Sequence, residues 1–157
     1  DGVMLDIKAL RKAKFSQREE EITLTALADA GMGDGIVRVR GLTAHQLAEA
    51  EEAATKGRLV SDLVEKLAGS GREKVNALLE GIGFNQDVPA SLAKKLSHVQ
   101  MGVVEPELQL EDVVKLAEAF PIEFGQLANK IYELTGKGQV AQVKRQPSGG
   151  GQTSKPA

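Results

Sequence analysis

His45 and His98 are the only histidines in the chain, and there is no cysteine. A zinc site needs three or four such ligands at set spacings, and a general base needs a partner within hydrogen-bond reach. Neither histidine has that company. His45 falls early in an expected surface helix, with Glu49 and Glu52 further along it, and His98 sits beside Val99 on another. Both read as solvated side chains. Gly136-Lys137-Gly138 has the composition of a phosphate loop without its spacing. Ile131 occupies the first glycine position, and Gly138 stands where a Ser or Thr must reach magnesium. A helix C-cap followed by a tail accounts for it. Gly31 and Gly33 belong to a turn, since no helix N-terminus follows to receive a phosphate. Glu19, Glu20, Glu21, Glu49, Glu51 and Glu52 read as solvated carboxylates or partners of lysines, and nothing marks a glycosidase-like pair among them. The sequence predicts a protein that is not an enzyme and holds no cofactor and no metal.

The 157 residues suit one domain with tails, and 41% hydrophobic content is enough for a core. Aromatics are only 3%, without a tryptophan, so aliphatic helix-on-helix packing is expected and a base-stacking platform is not. A net charge of −2 provides no field for nucleic acid or anionic lipid. Without a membrane-length apolar run or the apolar core of a signal peptide, the expected location is a cytoplasm.

Residues 4–15 suggest a short helix or an arm with a basic cluster at Lys8, Arg11, Lys12 and Lys14. Residues 19–27 and 36–42 alternate with period two, which predicts strands. The glycine-rich turn 30–35 joins them into a hairpin, and a two-stranded hairpin must lean on helices or on another chain. Thr43 and Gln46 form a capping box, with Leu42 and Leu47 as its hydrophobic staple, and open a helix that Gly57 stops. Two more helices are expected, one with Leu59, Val60, Leu63, Val64 and Leu67, the next opened by Ser70 and Glu73 with Val75, Leu78, Leu79 and Ile82. A fourth carries Leu92, Leu96, Val99 and Val103 and breaks at Glu105-Pro106. A fifth carries Leu110, Val113, Val114, Leu116, Ala117 and Phe120. Pro121 breaks it, and a sixth runs from Phe124 to Gly136. The fold expectation is mainly α: a compact bundle of about five or six short helices, an N-terminal β-hairpin and a disordered C-terminal tail. The boundaries are an arm or short helix over 1–18, a domain over 19–136 (hairpin 20–42, helices 43–136) and a flexible tail over 137–157.

The apolar helix faces are the most informative feature. Core explains any one of them, but the last two meet at a kink bearing Phe120, Pro121 and Phe124. Such a pair can receive a partner helix in a groove. Val113, Leu116, Phe120, Phe124, Leu127 and Ile131 are the expected partner-binding residues, and Arg38 and Arg40 on the hairpin edge the expected subunit contacts.

The order of segments at residues 6–15, 18–24, 36–53 and 111–139 resembles the tail assembly chaperones of long-tailed bacteriophages and prophages. Its anchors are Val37-Arg38-Val39-Arg40-Gly41-Leu42-Thr43 and the run from Lys115 through Ala119-Phe120-Pro121 to Phe124. The similarity runs from about Leu5 to Gln139, and residues 57–103 carry little of it. The resemblance implies a protein of the host cytoplasm that binds and solubilises the aggregation-prone tape measure protein during tail morphogenesis. It also implies help in recruiting tail tube protein, self-association, and absence from the mature virion. Many such chaperones have a second, longer form made by a translational frameshift, and an extension would begin after Gly136. Partners are thus the tape measure protein, the tail tube protein and further copies of the chain, with no nucleic acid and no membrane. Two other readings compete. Short capped helices permit a DNA-binding regulator, against which the weak charge argues, and a structural tail or connector subunit would remain in the particle.

Overall fold

A computed structural model describes residues 4–55 and 89–142. The helices expected over 59–67 and 73–82, the stop at Gly57 and the tail beyond 142 lie outside the described residues. Within them the fold is mainly α, with six helices and a small sheet near the N-terminus.

The chain opens with α1 (Ile7–Lys12), capped by the Asp6 carboxylate, which accepts from Ala9 N at 3.1 Å. Strand β1 (Lys14–Ser16) follows, then β2 (Glu19–Thr23). The expected strand over 19–27 is cut short at Thr23. Leu24 N donates to Gly35 O at 2.7 Å and closes the hairpin, while Leu24 O accepts from Leu27 N and Ala28 N. Those bonds start α2 (Thr25–Asp29), whose Ala and Leu favour helix over strand. Gly31, Gly33 and Gly35 all take positive φ in the turn that returns the chain to β3 (Ile36–Arg40). In β3 the alternation holds: Val37 and Val39 are buried, while Arg38 and Arg40 are half-buried.

Gly41 follows because the chain runs against another backbone here. A Cβ on it would lie 2.8 Å from Leu134 C and Thr135 N. Leu42 N then donates to Thr135 Oγ1 at 2.9 Å. The capping box opens α3 (Ala44–Thr55) as expected: Gln46 N donates to Thr43 Oγ1 at 3.1 Å, and Thr43 N to Gln46 Oε1 at 3.0 Å.

Helix α4 (Ala90–Gly102) begins after Pro89 and ends sooner than its apolar spacing predicts. Val103 is not its last core residue. It opens β4 (Val103–Glu105), a third strand that the sequence reading missed. Gly102 lies so close to Ile131 that an added Cβ would overlap it. Val103 then pairs with Val39, and Glu105 with Arg38, across a bulge. The sheet order is β2-β3-β4, antiparallel throughout. Helix α5 (Leu110–Ala119) starts from a second capping box, Gln109 with Asp112. Phe120 ends it, and Pro121 sits in the first turn of α6 (Pro121–Gly136), where its missing N–H costs nothing. Contrary to the expected tail from Lys137, the chain after Gly136 is not structureless throughout. Val140–Gln142 forms β5, paired with β1.

The core lies between α4, α5, α6 and the inner face of the sheet. Leu96, Val99, Val113, Val114, Leu127, Ile131, Leu134 and Val39 are all under 2% exposed. We expect Gly102→Ala to cost about 1–3 kcal/mol, because the buried Ile131 has nowhere to move. Gly125 sits inside α6 with nothing within 4 Å of an added Cβ. Gly125→Ala should stabilise by about 0.5–1 kcal/mol through helix propensity. Urea denaturation of the two variants measures both.

Candidate docking groove

Four of the six expected partner-binding residues are core. Val113, Leu127 and Ile131 are fully buried and Phe124 nearly so, and of these four only Leu127 reaches the opening described below. They carry the right periodicity because a groove face and a core face obey the same spacing. Leu116 and Phe120 are half-buried and do line an opening. Nor is the hairpin edge where it was expected. Strand β4 covers β3, and both arginines have partners within the chain. Arg38 pairs with Glu105 at 2.9 Å, and Arg40 Nε donates to Met101 O at 3.0 Å, satisfying one of the last carbonyls of α4.

The opening is an apolar groove of about 530 Å³. One wall is Leu24 and Leu27 from the α2 region, Met32 in the glycine turn, and Ile36 and Val37 of β3. The other is Pro106, Leu108, Leu116, Ala119 and Phe120 along α5 and its approach, and Leu127 contributes from α6. Asp34, Asp112 and Lys115 also line it. Met32 is 58% exposed and Ile36 50%, so both offer apolar surface to an incoming chain. The groove exists because α2 and α5 each turn one flank to the core and leave the other flank uncovered. Leu27, Met32, Ile36 and Leu108 were not anticipated. The helix hidden in the expected strand kept Leu27 from view, and a lone methionine in a glycine turn was the one available signal.

His98 is not solvated. It is buried in α4, with Nδ1 2.6 Å from the Tyr132 hydroxyl and the two rings edge to face at 5.0 Å. Burial pushes its pKa below the ordinary 6.5, and the Lys94 charge pushes the same way against Glu51. Burial raises the Tyr132 pKa, so the phenol keeps its proton and can donate to a neutral imidazole. A polar pocket of about 300 Å³ nearby holds Glu49, Glu52, Ser97 and Gln100, without a histidine. His45 is exposed and lies 3.5 Å from Glu49. Of the other carboxylates, Glu20 pairs with Lys130 at 3.1 Å and Glu51 with Lys94 at 2.9 Å. Among the described residues no group of three or more His, Cys, Asp or Glu is placed to hold a metal ion.

Neither a family model, nor a curated protein, nor a solved structure matches this chain. No described helix is long and apolar enough to cross a membrane.

Core and groove should separate on substitution. Ile131→Ala is expected to cost about 2–5 kcal/mol, and Met32→Ser to stay within about 0.5 kcal/mol, read from denaturation midpoints. His98 gives a pH signature. The unfolded imidazole takes a proton near pH 6.5, while the folded one resists until lower pH. Stability should therefore be full above about pH 6.5 and fall as the pH drops through that value. His98→Gln should be less stable at pH 7.5 but lose the slope between pH 7.5 and 5.5.

Proposed function

We propose that this protein is a non-enzymatic tail assembly chaperone of the long-tailed phage type. It acts in the host cytoplasm, where it binds tape measure protein and brings it together with tail tube protein. The observation that carries the reading is the open apolar groove beside the core formed by the described residues. A tape measure protein is long and helical, and before assembly it exposes apolar stripes. A chaperone for it needs a modest apolar surface that engages one helix face and lets it go. A groove holding two or three large side chains suits that task, since the helix-in-groove mode draws its energy from a few anchors at i, i+3/i+4 and i+7. Leu116, Phe120, Met32 and Ile36 supply the apolar contacts, and Asp34, Asp112 and Lys115 place charges of both signs along the lining.

Part of the groove lining falls in the stretches that carry the resemblance: Val37 begins the first anchor, and Lys115, Leu116, Ala119 and Phe120 belong to the second. The buried members of those anchors hold the walls in place.

Co-expression tests the reading. Tape measure protein from a long-tailed phage, insoluble alone, should become soluble several-fold when this chain is co-expressed, and should co-purify with it. Met32→Lys with Ile36→Lys should remove the effect without unfolding the chaperone. Purified virions should lack the chain by mass spectrometry. A tape measure protein that stays insoluble at every ratio, or abundant chain in the particle, would contradict the proposal.

A further inference from the structure

The start of the chain carries an apolar surface that the groove does not explain. Met4, Leu5, Ile7, Leu10 and Phe15 are 89%, 71%, 42%, 47% and 46% exposed, and α1 buries no residue. Exposed large apolar residues this close together mark an interaction surface. Lys8, Arg11, Lys12 and Lys14 are interspersed with them, and Asp6 is the one acid between Met4 and Arg18. The net charge of −2 averages over this local excess of positive charge. Helical periodicity puts Ile7 and Leu10 on one side of α1 and Lys8 and Lys12 on the other, with Arg11 at the border. A helix of six residues is marginal in water, and among the described residues nothing covers this one. Its stability calls for a surface outside the body of the protein.

Three kinds of surface take apolar and basic side chains together, and the residues separate them. A protein groove holds a helix by anchors spread over i, i+3/i+4 and i+7. Helix α1 is shorter than that span, and Met4, Leu5 and Phe15 lie off it. Nucleic acid would engage the basic residues and leave the aliphatic ones in water, with only Phe15 able to stack. An anionic lipid surface demands no register. It takes apolar side chains from helix and flanking chain alike, while Lys and Arg stems lie along it with their charges among the headgroups. The Asp6 carboxylate is engaged as the cap of α1, accepting from Ala9 N. The attachment of the segment to the body limits how far such a contact spreads. Strand β1 pairs with β5 beyond the end of α6, and Arg18 Nε donates to Gly138 O at 3.2 Å. Glu19, Glu20 and Glu21 follow at once in β2, so an anionic surface reaching past this point would meet like charge.

We propose that residues 4–15 attach this protein peripherally to an anionic lipid surface. Leu5, Ile7 and Leu10, with Met4 and Phe15 at the flanks, enter the boundary between headgroups and acyl chains. Lys8, Arg11, Lys12 and Lys14 lie against the headgroup charge. The attachment is weak and reversible, near that of a single acyl chain, about 100 µM in accessible lipid. None of these residues lines the groove, so the attachment does not depend on what the groove binds.

Co-sedimentation of the full chain with vesicles tests this. The chain should pellet with vesicles of phosphatidylglycerol and phosphatidylcholine in equal parts, and stay in solution with phosphatidylcholine alone. Raising the salt from about 50 to about 500 mM should release it. Lys8→Gln with Lys12→Gln should weaken binding about tenfold. Leu5→Gln with Leu10→Gln should abolish it at unchanged charge. All four side chains are exposed, and circular dichroism checks each fold. The chain has no tryptophan, so Leu10→Trp supplies a single reporter of the contact. Its emission should shift to the blue on the mixed vesicles, while that of Met32→Trp, in the groove lining, should not. A chain that stays in solution with the mixed vesicles overturns the proposal, as does binding that survives the leucine variant, or a shift at position 32 in place of position 10. Single-stranded RNA or polyglutamate bound more tightly than the mixed vesicles, and undiminished in the leucine variant, overturns it in favour of a purely electrostatic partner. Tape measure solubilisation is scored separately, so failure here leaves that reading standing, and failure there leaves this one.

Discussion

The apolar stripe of α6 is the surface against which the other elements are fixed. Leu127, Ala128, Ile131 and Leu134 recur along one side of the helix and are each at most 1% exposed. Two glycines mark how closely the chain approaches it, Gly102 at Ile131 and Gly41 at the backbone of Leu134 and Thr135. Burying a Leu or Ile contributes about 1.5–3 kcal/mol, whereas a surface ion pair such as Lys130 with Glu20 is screened by solvent and contributes little. The stripe therefore decides where the sheet and α4 sit, and the ion pairs tune an arrangement already determined. The short sheet depends on it too. Three strands, the longest of five residues, would be marginal without the helices beneath them.

The groove is a by-product of the same constraint. Proline at the start of α6 forces the break at Phe120, so α5 leaves at an angle instead of continuing the stripe. Its Val113 and Val114 reach the core, while Leu116, Ala119 and Phe120 turn toward a space that α2 and the glycine turn border but do not fill. A surface of this kind suits reversible capture of a helix, because its walls belong to a well-packed core and do not have to be ordered on binding.

Much of the fold was legible in the sequence because the local signals agreed with the tertiary outcome. Thr43 with Gln46, the alternation of Val37 and Val39 between arginines, and Pro121 as a helix start each reflect one mechanism acting within a few residues. What was not legible depended on distant partners. Val103 fits a helical period as well as a strand, and only its pairing with Val39 decides between them. The strand at Val140–Gln142 needs β1, more than a hundred residues earlier. Thr25–Asp29 alternates on paper, yet Leu24 bonds to Gly35 and turns the chain into a helix. The site was half visible. Leu116, Phe120 and Leu127 line the candidate groove, while Val113, Phe124 and Ile131 share their periodicity and are core. His98 was read as solvated because sequence does not show that Tyr132 waits for it across the bundle.

On the proposed function, a partner helix occupies the groove and leaves the rest of the surface alone. Hydrogen exchange of the chain, free and in a soluble complex with tape measure protein, tests it most directly. The account predicts slowed exchange at the amides of Leu27, Met32, Ile36 and Leu116 through Phe120, and little change at those of α3 and around His98. Protection centred on α3 and α4, with the groove amides exchanging as in the free chain, would contradict it.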